Sequence, residues 1–375
     1  MKSLIQSLHT PLVTPLAYPL GQQPTQEDFH PLHAPLSGWW STRYMLNASD
    51  EATDYRDGVK TIRDVIAGAD ATQATAGDRP EALPVEGGEG YLHLPGAAGN
   101  YAVSLFSEAW EEFAISFIAG AVVDGTASKG VVLGVTGGDA GYVGVQLGSA
   151  TSYFSDETVN VRTSAGTAFK VTAESFNLGD VVEFRAVANS TEWAVTSSDL
   201  IIDYERTGAL TMLQGTGVLI GRSADGAAFP AAVKFVRITG DAGGEFEVDF
   251  RAATHLSASL GTVTVNASGT NPAAIIAQPV ARFESSDDLV ATTASDFGGH
   301  TLLSVYKDLT TGDRFVREST VTASDIASTS GTALTLGGVA MFFEDAITLP
   351  SGTDSAVVAQ VAAWLSRQRG AALES

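Results

Sequence analysis

The pattern of apolar and polar positions divides the chain into three kinds of sequence. From Tyr91 onward, short apolar runs recur between Gly, Asp and Asn; Tyr91–Leu94, Phe113–Val123, Val181–Ala188 and Ala232–Ile238 are examples. In Val181–Val187 the charges Glu183 and Arg185 fall on one face, and Val182, Phe184 and Ala186 on the other. Ala232–Ile238 has apolar residues on both faces, which predicts a strand covered on both sides. About a dozen such strands between 85 and 240, with no long helix, predict a first antiparallel β-sandwich. Residues 241–350 alternate again, with Phe246, Val248 and Phe250 opposite Glu247, Asp249 and Arg251. They predict a second, smaller β module, or one that completes the same double sheet. Helical period appears in 351–375, where Val357, Val358, Val361, Trp364 and Leu365 follow a capping Asp354 and precede a terminating Gly370.

The opening has no such period. Six of the 13 prolines fall before residue 37. Each fixes its own φ and pushes its predecessor to extended geometry. Residues 1–37 therefore form an extended arm. Its apolar pairs Pro11-Leu12, Pro15-Leu16, Pro19-Leu20, Pro31-Leu32 and Pro35-Leu36 suit a segment lying along a surface, either its own domain or a neighbouring subunit, with a floppy terminus as the alternative. Residues 38–84 are expected to be an irregular lead-in. In an extended Gly38-Trp39-Trp40 the two indoles point opposite ways, one into a core and the other over the joint with the arm.

Charge narrows the function classes. There are 43 acidic and 21 basic residues, a formal net charge of −22, so the surface repels nucleic acid. The chain has no cysteine, which excludes disulfides and thiolate metal sites. No run of 18 apolar residues offers a membrane span, and MKSLIQSL lacks the apolar core of a cleaved signal.

Particular residues carry a family resemblance. ATQATAGDRP (71–80), followed by Tyr91 to Tyr101, resembles the opening of concanavalin A-like or laminin-G-like jelly-roll proteins of tailed phages and prophages. Leu94 replaces the usual aromatic there, and Gly99-Asn100-Tyr101 replaces an Asp-Tyr ending. Ala281–Leu289 resembles a second copy of that opening, and Met341–Gly370 the close of such modules. The resemblance implies jelly-roll sandwiches and a virion structural protein of tail-fibre, head-fibre or spike type. It would be made in the host cytoplasm, be homo-oligomeric (a trimer is common in that class), and touch other virion proteins through its arm.

Candidate chemistry is sparse. A glycan platform would use exposed aromatics such as Tyr142, Tyr153 and Trp193. Asp287-Asp288, beside Ser285 and Ser286, is the candidate calcium site, with solvated loop charge as the alternative; no other cofactor is implied. Glu344-Asp345 is a second carboxylate pair, but adjacent residues do not by themselves span the cleft a glycosidase needs. No nucleophile elbow, zinc helix motif or phosphate loop occurs. The expected function is non-enzymatic. A free-standing carbohydrate-binding module or adhesin is the alternative, and a polysaccharide-cleaving enzyme stands behind both.

Overall fold

The computed structural model describes residues 29–374 apart from 67, 86–87, 106–107, 119–127, 134–142, 148–158, 164–167, 172–180, 188–191, 197–200, 206–216, 223–229, 253–256, 259–260, 270 and 293–295. The fold is mainly β and antiparallel, with one C-terminal α-helix, as the pattern predicts.

Four strands precede the jelly-roll region: β1 (Gly38–Leu46), β2 (Thr61–Asp64), β3 (Ala71–Thr72) and β4 (Glu81–Leu83). Then come β5 (Tyr91–Pro95), β6 (Tyr101–Ser104), β7 (Trp110–Ile118), β8 (Ser128–Leu133), β9 (Val143–Leu147), β10 (Val159–Thr163), β11 (Ala168–Val171), β12 (Val181–Val187), β13 (Glu192–Thr196) and β14 (Ile201–Glu205). They continue as β15 (Val218–Ile220), β16 (Pro230–Gly240), β17 (Glu245–Asp249), β18 (Ser257–Ala258), β19 (Gly261–Thr262), β20 (Thr264–Asn266) and β21 (Ala274–Ile276). The last group is β22 (Val280–Phe283), β23 (Asp288–Thr292), β24 (Thr301–Asp308), β25 (Arg314–Thr320), β26 (Ala327–Ser330), β27 (Ala333–Gly337), β28 (Met341–Leu349), the helix α1 (Ser355–Arg369) and β29 (Ala372–Leu373).

Residues 91–276 build two large sheets, with β18 and β19 as a separate two-stranded pair. One runs β11-β10-β9-β8-β15-β6-β20; the other runs β14-β13-β12-β7-β16-β5-β21, with β17 also on β16. The chain switches repeatedly between them, as in jelly rolls. The sheets meet face to face at Gly221, just past β15. A Cβ there would lie 2.8 Å from the Leu94 side chain on β5, and its φ of +95° also favours glycine. Leu92, Leu94, Ala102, Phe113, Val218, Ile220, Val236 and Ile238 are fully buried.

A third sheet forms a platform. Its order is β26-β27-β23-β3-β2-β1-β28-β24-β25-β29, and β22 joins β28 to β4. All nine residues of β28 are buried, because it is covered on both faces. Met341, Phe343 and Ala346 join a core with Trp40, Ile62, Phe283 and Leu289. Ile347 and Leu349 join Phe29, Leu303 and Val305 under Val358, Val361 and Leu365 of α1. Asp354 caps α1 by accepting from Ala356 N at 2.7 Å, and Gly370 ends it in the left-handed conformation.

Two expectations need correcting. Residues 38–84 are not an irregular lead-in: β1 to β4 lie there and pair with β28, β23 and β22. Three of them span only two to four residues, too short for a period to show. The change from sandwich to platform also falls at 277–279, not 240/241, because β17, β20 and β21 pair inside the two sandwich sheets. The tryptophan pair behaves as its alternation requires. Trp40 is fully buried in the platform core, whereas Trp39 is half-buried beside the arm residue His30.

Candidate functional site

The sandwich is spliced into the platform through two neighbouring connections. On the platform side β4 pairs with β22, Leu83 opposite Val280. On the sandwich side β5 pairs with β21, Tyr91 opposite Ile276. The chain therefore enters at 84–90 and leaves at 277–279 through one narrow junction. Leu83, Tyr91, Ala232, Ile276, Val280 and Phe342 pack there into a small apolar cluster.

A buried polar network lies against this cluster. His93 of β5 is fully buried, and its Nδ1 lies 2.8 Å from the Tyr55 hydroxyl of the platform. Its Nε2 lies 3.3 Å from Asn271 Oδ1, which can only accept, so Nε2 carries the proton and Tyr55 donates to Nδ1. The ring also meets Phe342 of β28 edge-on at 6.4 Å. Nearby Glu81 of β4 accepts from Arg56 and, at 2.6 Å, from Arg282 of β22; Arg282 also reaches Glu284 at 3.1 Å. Burial alone would raise the Glu81 carboxyl, but the two guanidinium groups outweigh it and hold the group below its usual range. Burial likewise dominates the Tyr55 and Tyr91 hydroxyls and pushes both well up.

Burial pushes the His93 imidazole down to about 4. Glu81 and the Asn271 bond act the other way, and Arg56 and Arg282 push it down further. A histidine with a lowered folded-state value contributes stability above its ordinary 6.5 and loses it as pH falls toward about 4. The loss approaches about 3 kcal/mol at the lower end. Glu81 is held below its usual range by Arg56 and Arg282, and His30 is also lowered, by burial and by His33, so the His93→Gln variant isolates the share of the slope that belongs to His93. Urea midpoints measured from pH 7 to 4.5 should fall with one extra proton bound on unfolding, and His93→Gln should flatten that slope. An unchanged slope in the variant would remove His93 as the cause.

Glu81 and His93 are engaged, while the Tyr91 hydroxyl in the same cluster is buried with no hydrogen-bond partner among the described residues. Both Glu81 oxygens meet arginines, and both His93 nitrogens have partners. The network can orient two bodies, and among the described residues its Glu81 and His93 are both buried.

The second carboxylate pair is structural in the same way. Glu344 and Asp345 lie on buried β28, 3% and 2% exposed. Glu344 takes Arg314 in a bidentate grip at 2.7 and 2.9 Å. Asp345 accepts from Arg369 Nε and, at 3.2 Å, from the Trp39 indole. Arg369 goes on to Gln278 Oε1 at 3.0 Å and Ser41 Oγ at 3.1 Å, and Arg314 reaches the Arg369 carbonyl at 2.7 Å. This lattice pins the end of α1 to the platform.

The candidate calcium residues are engaged too. Asp287 Oδ2 accepts from Glu284 N at 2.7 Å and closes its own turn, while burial raises its carboxyl. Asp288 accepts from the Gln73 amide. Among the described residues no group of three or more His, Asp or Glu side chains is placed to hold a metal. Gln73 also explains why ATQATAGDRP is a connector. Its Oε1 accepts from Thr75 N at 2.9 Å, and Arg79 donates to the carbonyls of Gln73 and Ala74 at 3.1 and 2.9 Å. The segment braces itself against β23.

Of the candidate glycan residues, Tyr142 and Tyr153 lie outside the described residues. Trp193 lies on β13, opposite Ala186 and Tyr204. The arm pairs Pro11-Leu12, Pro15-Leu16 and Pro19-Leu20 also lie outside. Pro31 is buried, Leu32 and Pro35 are exposed, and Leu36 packs beside α1. Two half-buried aromatics on the sandwich escaped the sequence reading. Tyr101 lies under the Arg222 guanidinium at 4.4 Å, and Phe235 under that of Arg251 at 4.9 Å. An aromatic alternating with charges carries no signal of which cation will cover it.

Asn100, just before β6, is held by backbone groups of 268–273. It is 1% exposed; its Oδ1 accepts from Ser268 N at 2.8 Å and Ala273 N at 2.9 Å, and its Nδ2 donates to Ser268 O at 3.1 Å. Asn100→Ala strands the buried Ala273 N–H and the part-buried Ser268 N–H and should cost about 1–3 kcal/mol. Asn100→Asp keeps the acceptor and should cost less. Equal urea midpoints for the two variants would contradict this role.

No family model matches the chain, and no curated protein does. Among solved structures, a heptameric SAP-like pentraxin from Limulus polyphemus aligns with 48% of this chain and 96% of its own, at 9% identity and a TM-score of 0.29. A GH54 α-L-arabinofuranosidase aligns with 80% of this chain and 75% of its own, at 13% identity and 0.30. Scytalido-glutamic peptidase aligns with 66% of this chain and 96% of its own, at 10% identity and 0.20. Scores at this level carry no argument about ligand or activity. Fold and site define a mainly β, antiparallel protein in which a two-sheet module is spliced into a helix-backed platform. No helix among the described residues is long and apolar enough to cross a membrane.

Proposed function

We propose that the chain is a structural and attachment subunit of a virion, of fibre or spike type, whose platform is the mounting part and whose sandwich is the presented part. The observation that carries this is the mounting itself. Among the described residues the sandwich meets the platform where the chain crosses at 84–90 and 277–279, through the Leu83–Tyr91–Phe342 cluster and the buried Tyr55–His93–Asn271 contact. A module inserted through two neighbouring connections and anchored by a buried polar contact is suited to projection from a larger body. Both carboxylate pairs that could have done acid–base work serve as anchors. The acidic, cysteine-free composition and the phage-protein resemblance of 71–101 agree with a particle component. Homo-oligomerisation, contact of platform and arm with other virion proteins, and host-surface glycan as the sandwich's ligand belong to the same reading.

Immuno-electron microscopy with antibodies to the full chain tests it. The expected result is decoration of an external appendage on particles from the producing strain. Particles free of label, with the chain soluble in the lysate, would sink the virion role. A glycan array with the full chain tests the ligand separately.

A further inference from the structure

The visible end of the arm shows how its repeat is read by the platform. Phe29 is 5% exposed and packs with Val358, Val361 and Leu365 of α1. Pro31 is buried, and Ala34 and Leu36 pack against the same cluster. The His30 ring sits 5.4 Å from Trp364 and 6.3 Å from Trp39, and those two indoles meet at right angles at 5.4 Å. Trp39, Val357 and Trp364 nonetheless remain only partly covered, and Leu32 is 57% exposed at the rim. Val357, Gln360 and Trp364 are three and four residues apart, so they form one flank of α1. Val357 and Trp364 give the flank an apolar and an aromatic patch on either side of the Gln360 amide, and residues 1–28 lead up to it.

Those residues repeat the sequence unit of the described end, where Pro31–His33 makes one 3-10 turn, Pro31 is buried, Leu36 packs against the cluster, and Leu32 and Pro35 are exposed. Pro11-Leu12, Pro15-Leu16 and Pro19-Leu20 have the four-residue spacing of Pro31-Leu32 and Pro35-Leu36. Proline-spaced extended segments bind aromatic-lined grooves at low entropic cost, because their backbone is preset.

We propose that the Pro-Leu repeats of residues 10–20 dock on the Val357–Trp364 flank of α1 in the same chain, continuing the strap that Phe29–Leu36 begins. Reach and mass action select the chain's own arm over a second copy. The connecting residues 21–28 span at most ~28 Å, and α1 is ~22 Å long, so the repeats reach the whole flank. A tether that short sets an effective concentration on the order of millimolar, which another molecule's arm does not match in dilute solution.

The test uses a labelled peptide of residues 8–21 and full-length protein, read by fluorescence anisotropy. The receptor is the full-length variant L12S/L16S/L20S, whose own repeats are disabled. The peptide should bind this variant, and at least 10-fold more weakly to the unaltered chain, where the flank is occupied. A peptide with the same three serines should not bind. Adding Val357→Asp to the receptor, a change on the half-buried flank, should weaken binding at least 10-fold. Failure of the peptide to bind the disabled receptor, or equal binding to both receptors, overturns the proposal. So does light scattering that shows an oligomer for the unaltered chain and a monomer for the disabled one, since the repeats would then dock between copies.

Discussion

Arg369→Ala should lower stability by about 3–5 kcal/mol, the cost of leaving a buried charge without its partner. Asp345 is 2% exposed on a central strand, and Arg369 is its charged partner. The same substitution removes the bonds to Gln278 and Ser41. Arg314 holds Glu344 independently, so α1 should loosen without the whole platform failing. Urea unfolding followed by tryptophan fluorescence measures the effect, because Trp39 donates to Asp345. Replacing both partners by apolar residues of similar size should recover much of the loss, since removing the pair also removes its desolvation cost. A fall of less than 1 kcal/mol in the single variant would show that water reaches Asp345 and that the lattice is not what pins the helix.

Glu81→Ala should cost about 3 kcal/mol and change the form of unfolding as well as its midpoint. Glu81 is the shared acceptor of Arg56 and Arg282, and the Arg282 side chain is only 10% exposed. Glu284 gives Arg282 one remaining partner, which keeps the cost below that of a wholly orphaned charge. Glu81 lies on β4, the last platform strand before the chain crosses into the sandwich. Weakening it should uncouple the two bodies, so calorimetry should resolve two transitions where the unaltered chain shows closer coupling. A single transition merely shifted downward would mean that the apolar cluster around Tyr91 and Phe342 holds the junction by itself.

Both predictions concern residues whose partners are far away in sequence. Glu81 and Arg282 are 201 positions apart, and Ser41 and Arg369 are 328 apart. The sequence shows these as scattered charges, and Glu344-Asp345 even as a possible catalytic pair. Only the sheet pairing, β28 between β24 and β1, brings the arginines to them. His93 could be read as a histidine on a strand, but its Tyr55 and Asn271 partners and its lowered proton affinity follow from the splice.

The sequence by itself determined what local periodicity controls. Two-residue alternation specified antiparallel strands from Tyr91 onward, and the 3.6-residue period with Asp354 and Gly370 specified α1. Adjacent tryptophans on a strand had to part, one to each face. Tertiary structure alone decided which strands belong together. Strands as short as β2, β3 and β4 carry too few residues to declare a face, so 38–84 joined 280–349 across the whole sandwich through long-range pairing. It also decided that the buried acids are anchors, because a carboxylate's role depends on which cation the fold sets beside it.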